Sequence, residues 1–78
     1  MDANKRNEFN AAFGAFIKEA RVSKGIYQGD VSKHIGVTQS YYSYIENGTR
    51  NIDLQLAIEI CNYLGLDLSE FVKAQSNG

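Results

Sequence analysis

The chain has 78 residues, of which 44% are hydrophobic and 12% aromatic, which suffices for one small domain with its own core and excludes a wholly disordered chain. No apolar run approaches the ~18 residues of a membrane-spanning helix, and the N-terminal stretch MDANKRNEFN holds no hydrophobic signal core, so we expect neither a membrane partner nor export. The net charge of −1 excludes a basic surface over the whole protein, so any nucleic-acid site has to be local.

The sequence lacks the residue sets that metal, redox and catalytic chemistry need. Cys61 is the single cysteine, which excludes an internal disulfide and fits a reducing cytoplasm; we interpret it as an inert buried thiol rather than a redox sensor. His34 is the single histidine and has no second ligand at metal-binding spacing, so we predict no metal and no cofactor. No nucleophile and base form a credible pair, so we predict neither an enzyme nor a small-molecule ligand.

Charge is unevenly distributed along the chain. Residues 1–20 are balanced, residues 21–50 carry four basic and two acidic side chains, and residues 51–78 carry one basic and four acidic ones. This distribution predicts that the middle of the chain forms the side that faces DNA and that the C-terminal part lies on the distant side. Because the basic excess is small, we expect modest non-specific affinity, with specific contacts or dimerisation supplying the rest.

The first predicted helix runs from about Asn7 to Lys24. Its apolar residues recur at steps of three and four, the spacing of one helical face. Gly25 suits the C-cap that ends the helix, and residues 1–6 are polar and expected to fray. The apolar stripe consists of Phe9, Phe13, Phe16, Ile17 and Ala20.

Two short predicted helices follow, at about Gln28–Ile35 and Gln39–Asn47, and Gly36 separates them. Glycine adopts the left-handed backbone conformation that lets the chain leave one helix and enter the next. Such a unit is a helix-turn-helix, which can project its second helix into the major groove of DNA. The residues expected to hold it together are Val31 and Ile35 on one helix, Tyr42 and Ile45 on the other, Val37 at the corner and Thr38 as cap.

The start of the second helix has a weak sequence signal. Tyr27 stands where Ser or Thr usually caps a helix, and Gly29 weakens the first turn by about 1 kcal/mol. This helix therefore depends on its neighbours. For Tyr27 we consider packing and a contact with a phosphate, and favour packing.

The outer face of the third helix carries polar groups suited to nucleic acid. With Tyr42 and Ile45 pointing inward, Gln39 faces outward, and its amide has the donor and the acceptor that match the N6/N7 edge of adenine. Arg50 in the following loop is either a solvated charge or a phosphate anchor, and we favour the anchor. The tyrosine-rich run 41–44 has a rival interpretation as a stacking platform for unpaired bases.

The fourth predicted helix covers residues 54–64, with Asp53 as its cap. We expect a short fifth helix over residues 70–73, capped by Ser69, and a tail over residues 74–78. The fourth helix has an apolar stripe typical of a core helix, formed by Leu54, Ala57, Ile58, Cys61 and Leu64.

The motif residues resemble the lambda-repressor-like Cro/CI (XRE) helix-turn-helix family, and the similarity covers roughly residues 13–72. The resemblance implies an all-α, five-helix DNA-binding domain in which the second and third helices form the helix-turn-helix. We expect one domain over residues 1–78, with its core at about 9–73. The residues that carry the resemblance are Ile17, Arg21, Gly25, Gln28, Val31, Ser32, residues 36–40, residues 45–48, Arg50, Asn51 and residues 64–66.

The resemblance also implies roles for individual residues. An ion pair between Arg21 and Glu46 would tie the first helix to the third. The base-reading residues would be Gln39, Ser40 and Tyr44. Contacts to the DNA backbone are expected from Gln28, Tyr41, Ser43, Thr49, Arg50 and Asn51.

Apolar residues near the C-terminus exceed what a short fifth helix needs for its own core. In the family, surfaces near the fourth and fifth helices pair two subunits, so the resemblance implies a dimer interface there. The alternative is that these residues only close the core. They are Leu66, Leu68, Phe71 and Val72.

The function that these expectations support is a cytoplasmic, sequence-specific regulator that binds double-stranded DNA. A homodimer would read a palindromic operator through the major groove, with half-sites one helical turn, about 34 Å, apart. The rival hypothesis is a protein-interaction module, antitoxin-like or an assembly partner, that uses the same fold. The operator, the sign of regulation and the biological system do not follow from the sequence.

Overall fold

The computed structural model describes residues 3–77 and, for side chains, residues 5–75. Over this part of the chain all regular structure is helical, which confirms the predicted all-α, five-helix fold. None of these helices is both long and apolar enough to cross a membrane. The helices are α1 (Ala3–Ser23), α2 (Gln28–Ile35), α3 (Gln39–Glu46), α4 (Leu54–Leu64) and α5 (Leu68–Asn77).

The bounds of α2 and α4 agree with the prediction. Strong local signals mark the C-terminal end of α2 and both ends of α4, whereas the start of α2 has only a weak one. Gly36 follows α2 with φ +77°, the left-handed conformation that the turn requires. The side chains of Thr38 and Asp53 accept hydrogen bonds from Tyr41 N and Leu56 N, at 3.1 and 2.8 Å, and so cap α3 and α4.

The outer ends of the fold differ from the prediction. α1 begins at Ala3 rather than near residue 7, and α5 runs from Leu68 to Asn77 rather than over residues 70–73. The residues added at the start of α1 and at the end of α5 are small or polar and are exposed where they are described, so they leave no apolar periodicity in the sequence. Ser69 is not the cap of α5: the Asp67 carboxylate accepts a hydrogen bond from Ser69 N at 2.9 Å.

The core lies where α1 and α2 pack against α3 and α4. Tyr42, which the sequence predicted to lie in the core, is its largest fully buried side chain. Ile60 is fully buried although the predicted stripe on α4 omitted it, whereas Leu54 is 71% exposed and Ile58 is exposed. The stripe was placed a fraction of a turn off, because α4 is apolar on more than one side. The core consists of Phe13, Ile17, Val31, Ile35, Tyr42, Ile45, Ala57, Ile60, Cys61, Leu64 and Phe71.

Helix α5 packs on the core through a cluster of aromatic rings. Phe71 lies within 5.6 Å, between ring centroids, of Phe9, Phe13 and Phe16 on α1. These contacts fix the N-terminal half of α1 against α5 and bury a large apolar area.

Helices α1 and α3 approach so closely that only a glycine fits between them. A Cβ built on Gly14 would lie 2.6 Å from the carbonyl oxygen of Ile45, and closer still to that of Glu46. Backbone atoms cannot move aside as a flexible side chain can. Gly14 therefore sets the distance at which α1 supports the end of α3.

Candidate nucleic-acid interface

Helix α3 presents one face to the core and the opposite face to solvent. Its buried residues are Tyr42, Ile45 and Glu46. Gln39 and Ser40 are exposed, and Tyr44 is 45% exposed. Tyr41 and Ser43 are half-buried at the flanks. The packing thus leaves the three residues predicted as base readers on the accessible side.

The start of α3 lies beside the start of α2. The Gln39 side-chain oxygen, Oε1, is the atom that a Cβ on Gly29 would contact, at 3.4 Å. The glycine that weakens α2 therefore leaves open space next to Gln39. The Asp30 carboxylate partly compensates for the missing cap, since it accepts a hydrogen bond from Tyr27 N at 3.2 Å.

A buried ion pair fixes the other end of α3 to α1. Arg21 Nε donates to Glu46 Oε2 at 2.6 Å, and Arg21 Nη2 donates to Glu46 Oε1 at 3.1 Å. The two residues are 9% and 5% exposed. Arg21 Nη1 also donates to the carbonyl of Ile26, at 2.7 Å. The geometry is the bidentate pairing that the resemblance implied for Arg21 and Glu46.

The same carboxylate holds the first residue of α2. Gln28 Nε2 donates to Glu46 Oε1 at 2.9 Å. Burial by itself would raise the pKa of Glu46, but the hydrogen bonds from Arg21 and Gln28 outweigh it and lower the pKa. Glu46 is therefore a charged carboxylate inside the fold, and three helices meet at it.

Tyr42 lies next to this ion pair. Burial is the main cause that raises the pKa of its hydroxyl, so the group is neutral. Within the described residues, this buried oxygen has no hydrogen-bond partner of good geometry. Tyr42 thus contributes to α3 through its ring, as a core residue, rather than through its hydroxyl.

The loop after α3 is held against this helix by contacts with Tyr44. Thr49 donates twice to the carbonyl oxygen of Tyr44, from N at 3.0 Å and from Oγ1 at 3.3 Å. The guanidinium carbon of Arg50 lies 5.2 Å from the centre of the Tyr44 ring, a cation–π contact. Arg50 is exposed, so its charge stands beside the predicted base-reading face.

Asn51 has a partner that sequence reasoning missed. Asn10 Nδ2 donates to Asn51 Oδ1 at 2.7 Å, and Asn10 is buried. Forty-one positions separate the two residues, so no local pattern indicates the contact. Helix α1 thereby joins the loop that was expected to contact the DNA backbone.

Several other residues differ in placement from their predicted roles or add new contacts. Tyr27 is 77% exposed, so the expectation that it packs against the fold is wrong. The His34 ring stacks on Tyr63 with centroids 4.4 Å apart, which joins α2 to α4. Burial raises the pKa of the Cys61 thiol to about 11, which agrees with an inert thiol in the core.

The residues predicted to pair two subunits do not form one exposed patch. Phe71 is 6% exposed and belongs to the core, which removes it from a subunit contact. Leu66 and Leu68 are half-buried against the core, and Val72 is exposed. Leu54 and Ile58 extend the exposed apolar area, since each lines a groove together with Leu68. We call Leu54, Ile58, Leu68 and Val72 the α4–α5 face.

The fold and the exposed polar face of α3 define a helix-turn-helix unit. The family model described as Helix-turn-helix matches residues 17–71, which is more than half of the chain. The chain therefore belongs to this family, the Cro/CI (XRE) type of helix-turn-helix transcriptional regulators.

Two relatives agree with this assignment. The chain is 34% identical over 62 residues to an uncharacterized HTH-type transcriptional regulator, YqaF, from Bacillus subtilis (strain 168), with 80% of this chain and 82% of that protein covered. It is 37% identical over 65 residues to control protein C.MunI from Mycoplasma sp, with 82% and 88% covered.

Solved structures share the fold. A crystal structure of the clp gene regulator ClgR from Corynebacterium glutamicum superposes with a TM-score of 0.79 at 23% identity, covering 88% of this chain and 74% of that one. A second ClgR structure gives a TM-score of 0.75 at 24% identity, covering 80% of each chain. At these identities the likeness concerns the fold alone.

Proposed function

We propose that this protein is a sequence-specific, double-stranded DNA-binding transcriptional regulator that acts as a homodimer on a palindromic operator. The observation that carries the proposal is the orientation of α3. Buried Tyr42, Ile45 and Glu46 hold the helix so that Gln39 and Tyr44 are accessible. Short polar and aromatic side chains on a projecting helix are the groups that read base edges in the major groove.

The proposed base readers are Gln39, Ser40 and Tyr44. Gln39 lies in the first turn of α3, the end of a recognition helix that contacts bases, and its amide can pair with adenine. Ser40 offers a hydroxyl to a base edge. Tyr44 offers ring carbons to a thymine methyl and a hydroxyl to a phosphate, with Arg50 next to its ring.

The proposed contacts with the DNA backbone surround these readers. Gln28 begins α2, where the unpaired N–H groups and the helix dipole favour an anion. Its Nε2 has a second hydrogen beyond the one donated to Glu46. Arg50 supplies charge, and the remaining members of the set are Tyr41, Ser43, Thr49 and Asn51.

The proposed dimer uses the α4–α5 face. Leu54 is the most exposed residue of this face, and an aliphatic side chain so exposed gains free energy when a second copy covers it. A two-fold axis through this face would relate the two α3 helices of the dimer by symmetry. A palindromic site with half-sites about 34 Å apart would then match the protein's own symmetry.

Selection of bound duplexes from random DNA, followed by footprinting, tests the proposal. We expect a two-fold symmetric sequence and a protected site whose affinity falls steeply with salt. The absence of any enriched sequence and of any protection would contradict the proposal. A stoichiometric protein partner recovered together with that negative result would instead support the interaction-module alternative, with the α4–α5 face as its contact surface.

A further inference from the structure

Next to the recognition helix lies a polar groove of about 650 Å³ that the predicted DNA contacts only partly include. One wall is the N-terminal half of α1, with Arg6, Asn7 and Asn10. The other wall is the loop after α3, with Thr49, Arg50 and Asn51, and Tyr41 of α3 also lines it. The groove is therefore continuous with the flank of the proposed base-reading surface.

The chemistry of this groove suits an anion. Arg6 and Arg50 contribute positive charge from its two walls, and the described lining residues include no Asp or Glu. Arg6 and Arg50 are both exposed, so both charges are accessible to a ligand. Within residues 5–75, neither Arg6 nor Arg50 forms an ion pair; the buried pair of Arg21 and Glu46 lies outside the groove. Two guanidinium groups that line one groove and have no carboxylate partner within residues 5–75 attract a phosphate.

The groove also contains a fixed hydrogen-bond donor. Asn51 Oδ1 accepts the hydrogen bond from buried Asn10, so the Nδ2 group of Asn51 remains to donate to another molecule. Asn10 thereby orients the Asn51 amide so that its donor group, which an anion requires, is the one left available. Thr49 is held in place by its two hydrogen bonds to Tyr44. The walls are therefore preorganised.

We infer that this groove binds a phosphate of the DNA backbone, with Arg6 of α1 as a ligand and Asn10 as the residue that positions Asn51. The inference rests on the proposed function, because the groove borders the face that would meet DNA. It adds α1 to the DNA contacts, beyond the residues of α2, α3 and the following loop. Because a phosphate has the same charge at every step, this site contributes affinity and register and does not read sequence.

The test measures binding to a random-sequence duplex by fluorescence anisotropy, at salt concentrations from about 50 to about 200 mM, for the whole chain. Losing one phosphate contact reduces the slope of log affinity against log salt by about 0.9. Across this range, the factor by which affinity falls should therefore be about threefold smaller for R6Q than for the wild type. At the low-salt end, R6Q should bind more weakly than the wild type. N7D, which places a carboxylate in the groove, should also weaken binding at low salt.

Matched controls separate a contact in the groove from a change in net charge. K18Q removes one positive charge from an exposed position on α1, about 18 Å further along the helix, and Q75E adds one negative charge on exposed α5. Thermal unfolding of all four variants verifies that each is folded.

Each result has a defined meaning. The inference is supported if R6Q and N7D bind the duplex more weakly than their controls. R6Q should also show the reduced salt slope and an unchanged base preference on a selected site. If the wild type binds the duplex and R6Q has the same affinity and salt slope as K18Q, the inference is overturned and the proposed function still stands. A wild-type protein that binds no duplex at low salt would overturn both.

Discussion

Arg21 of α1 and Glu46 of α3 form a bidentate ion pair inside the fold, at 2.6 and 3.1 Å. The same Glu46 accepts a hydrogen bond from Gln28, the first residue of α2. One carboxylate of α3 thus connects this helix to α1 and to the start of α2. The orientation of α3, on which the proposed DNA contact relies, therefore depends on a single buried charge and its partners.

Removing Arg21 should destabilise the protein strongly. In R21M, Glu46 remains in a buried site without its charged partner, and breaking one side of a buried pair costs about 3–5 kcal/mol. We expect the free energy of unfolding, measured by urea denaturation, to fall by that order. K18M changes an exposed residue of the same helix and should stay within about 0.5 kcal/mol of the wild type.

The double variant R21M/E46L distinguishes a stranded charge from lost packing. Because it removes both charges, it should recover part of the stability that R21M loses. A double variant less stable than R21M would show that the pair acts through packing rather than through the compensation of charge.

Acid should weaken the protein through Glu46. The pKa of Glu46 is lowered in the folded state relative to its ordinary value of 4.5, so between these two values the unfolded chain binds more protons. The contribution of Glu46 to stability is therefore complete above pH 4.5 and is lost as the pH falls through the folded pKa. Urea denaturation at a series of pH values from 7 downward measures this loss.

The R21M/E46L variant is the comparison for this pH series. Asp67 also has a lowered pKa, because Ser69 donates hydrogen bonds to its carboxylate, and the variant retains that contribution. We expect the wild type to lose more stability than the variant below pH 4.5. If the free energies of unfolding of the two proteins fell in parallel with pH, Glu46 would not be the group responsible for the loss of stability.

Local sequence signals determined the centre of this fold well and its ends poorly. Gly36 and Thr38 mark the turn with residue types that suit one backbone conformation each, and the end of α2 and the start of α3 follow from them. The final turns of α5 carry small and polar residues without a periodic apolar face, so nothing in the sequence distinguished them from a tail. The exposure of Leu54 also escaped prediction, since spacing alone does not orient a helix that is apolar on several sides.

For the candidate site, the sequence predicted which residues of α3 face outward but not the long-range contacts that surround them. The family resemblance supplied the pairing of Arg21 with Glu46, which spacing alone could not, because the two residues are 25 positions apart. The contact of Asn10 with Asn51 spans 41 positions, and the family resemblance did not imply it. Long-range contacts between polar residues depend on the packing of whole helices, which local periodicity does not describe.

Two glycine substitutions should change stability in opposite directions. G14A places a methyl group against the backbone carbonyls of α3, one of them 2.6 Å away, so the clash should outweigh the gain of about 1 kcal/mol in helix propensity. G29A meets only the end of the Gln39 side chain, at 3.4 Å, so propensity should prevail and stabilise the protein by up to about 1 kcal/mol. Thermal and urea unfolding of the two variants checks this; a G14A protein as stable as G29A would contradict the close helix crossing.

A charge on the α4–α5 face should separate the proposed subunits. L54D puts a carboxylate at the most exposed apolar residue of this face, where burying it without a partner is costly. We expect a lower dimer fraction in analytical ultracentrifugation and weaker binding to a full palindrome, with binding to an isolated half-site unchanged. V22D, at another exposed apolar residue, is the matched control and should leave the dimer intact. If both variants sediment like the wild type, subunits pair through a different surface.

Gln39 and Arg50 should affect DNA binding in different ways. Q39A removes the amide proposed to pair with one base, so it should cost about 1–3 kcal/mol against the preferred base pair and relax preference at that position. R50A removes a charge proposed to contact a phosphate, so it should weaken binding to all sequences alike and lower the salt slope by about 1. Binding measured against a selected site and its single-base variants separates these outcomes. A Q39A protein that loses the same affinity for every variant would remove Gln39 from the base-reading set.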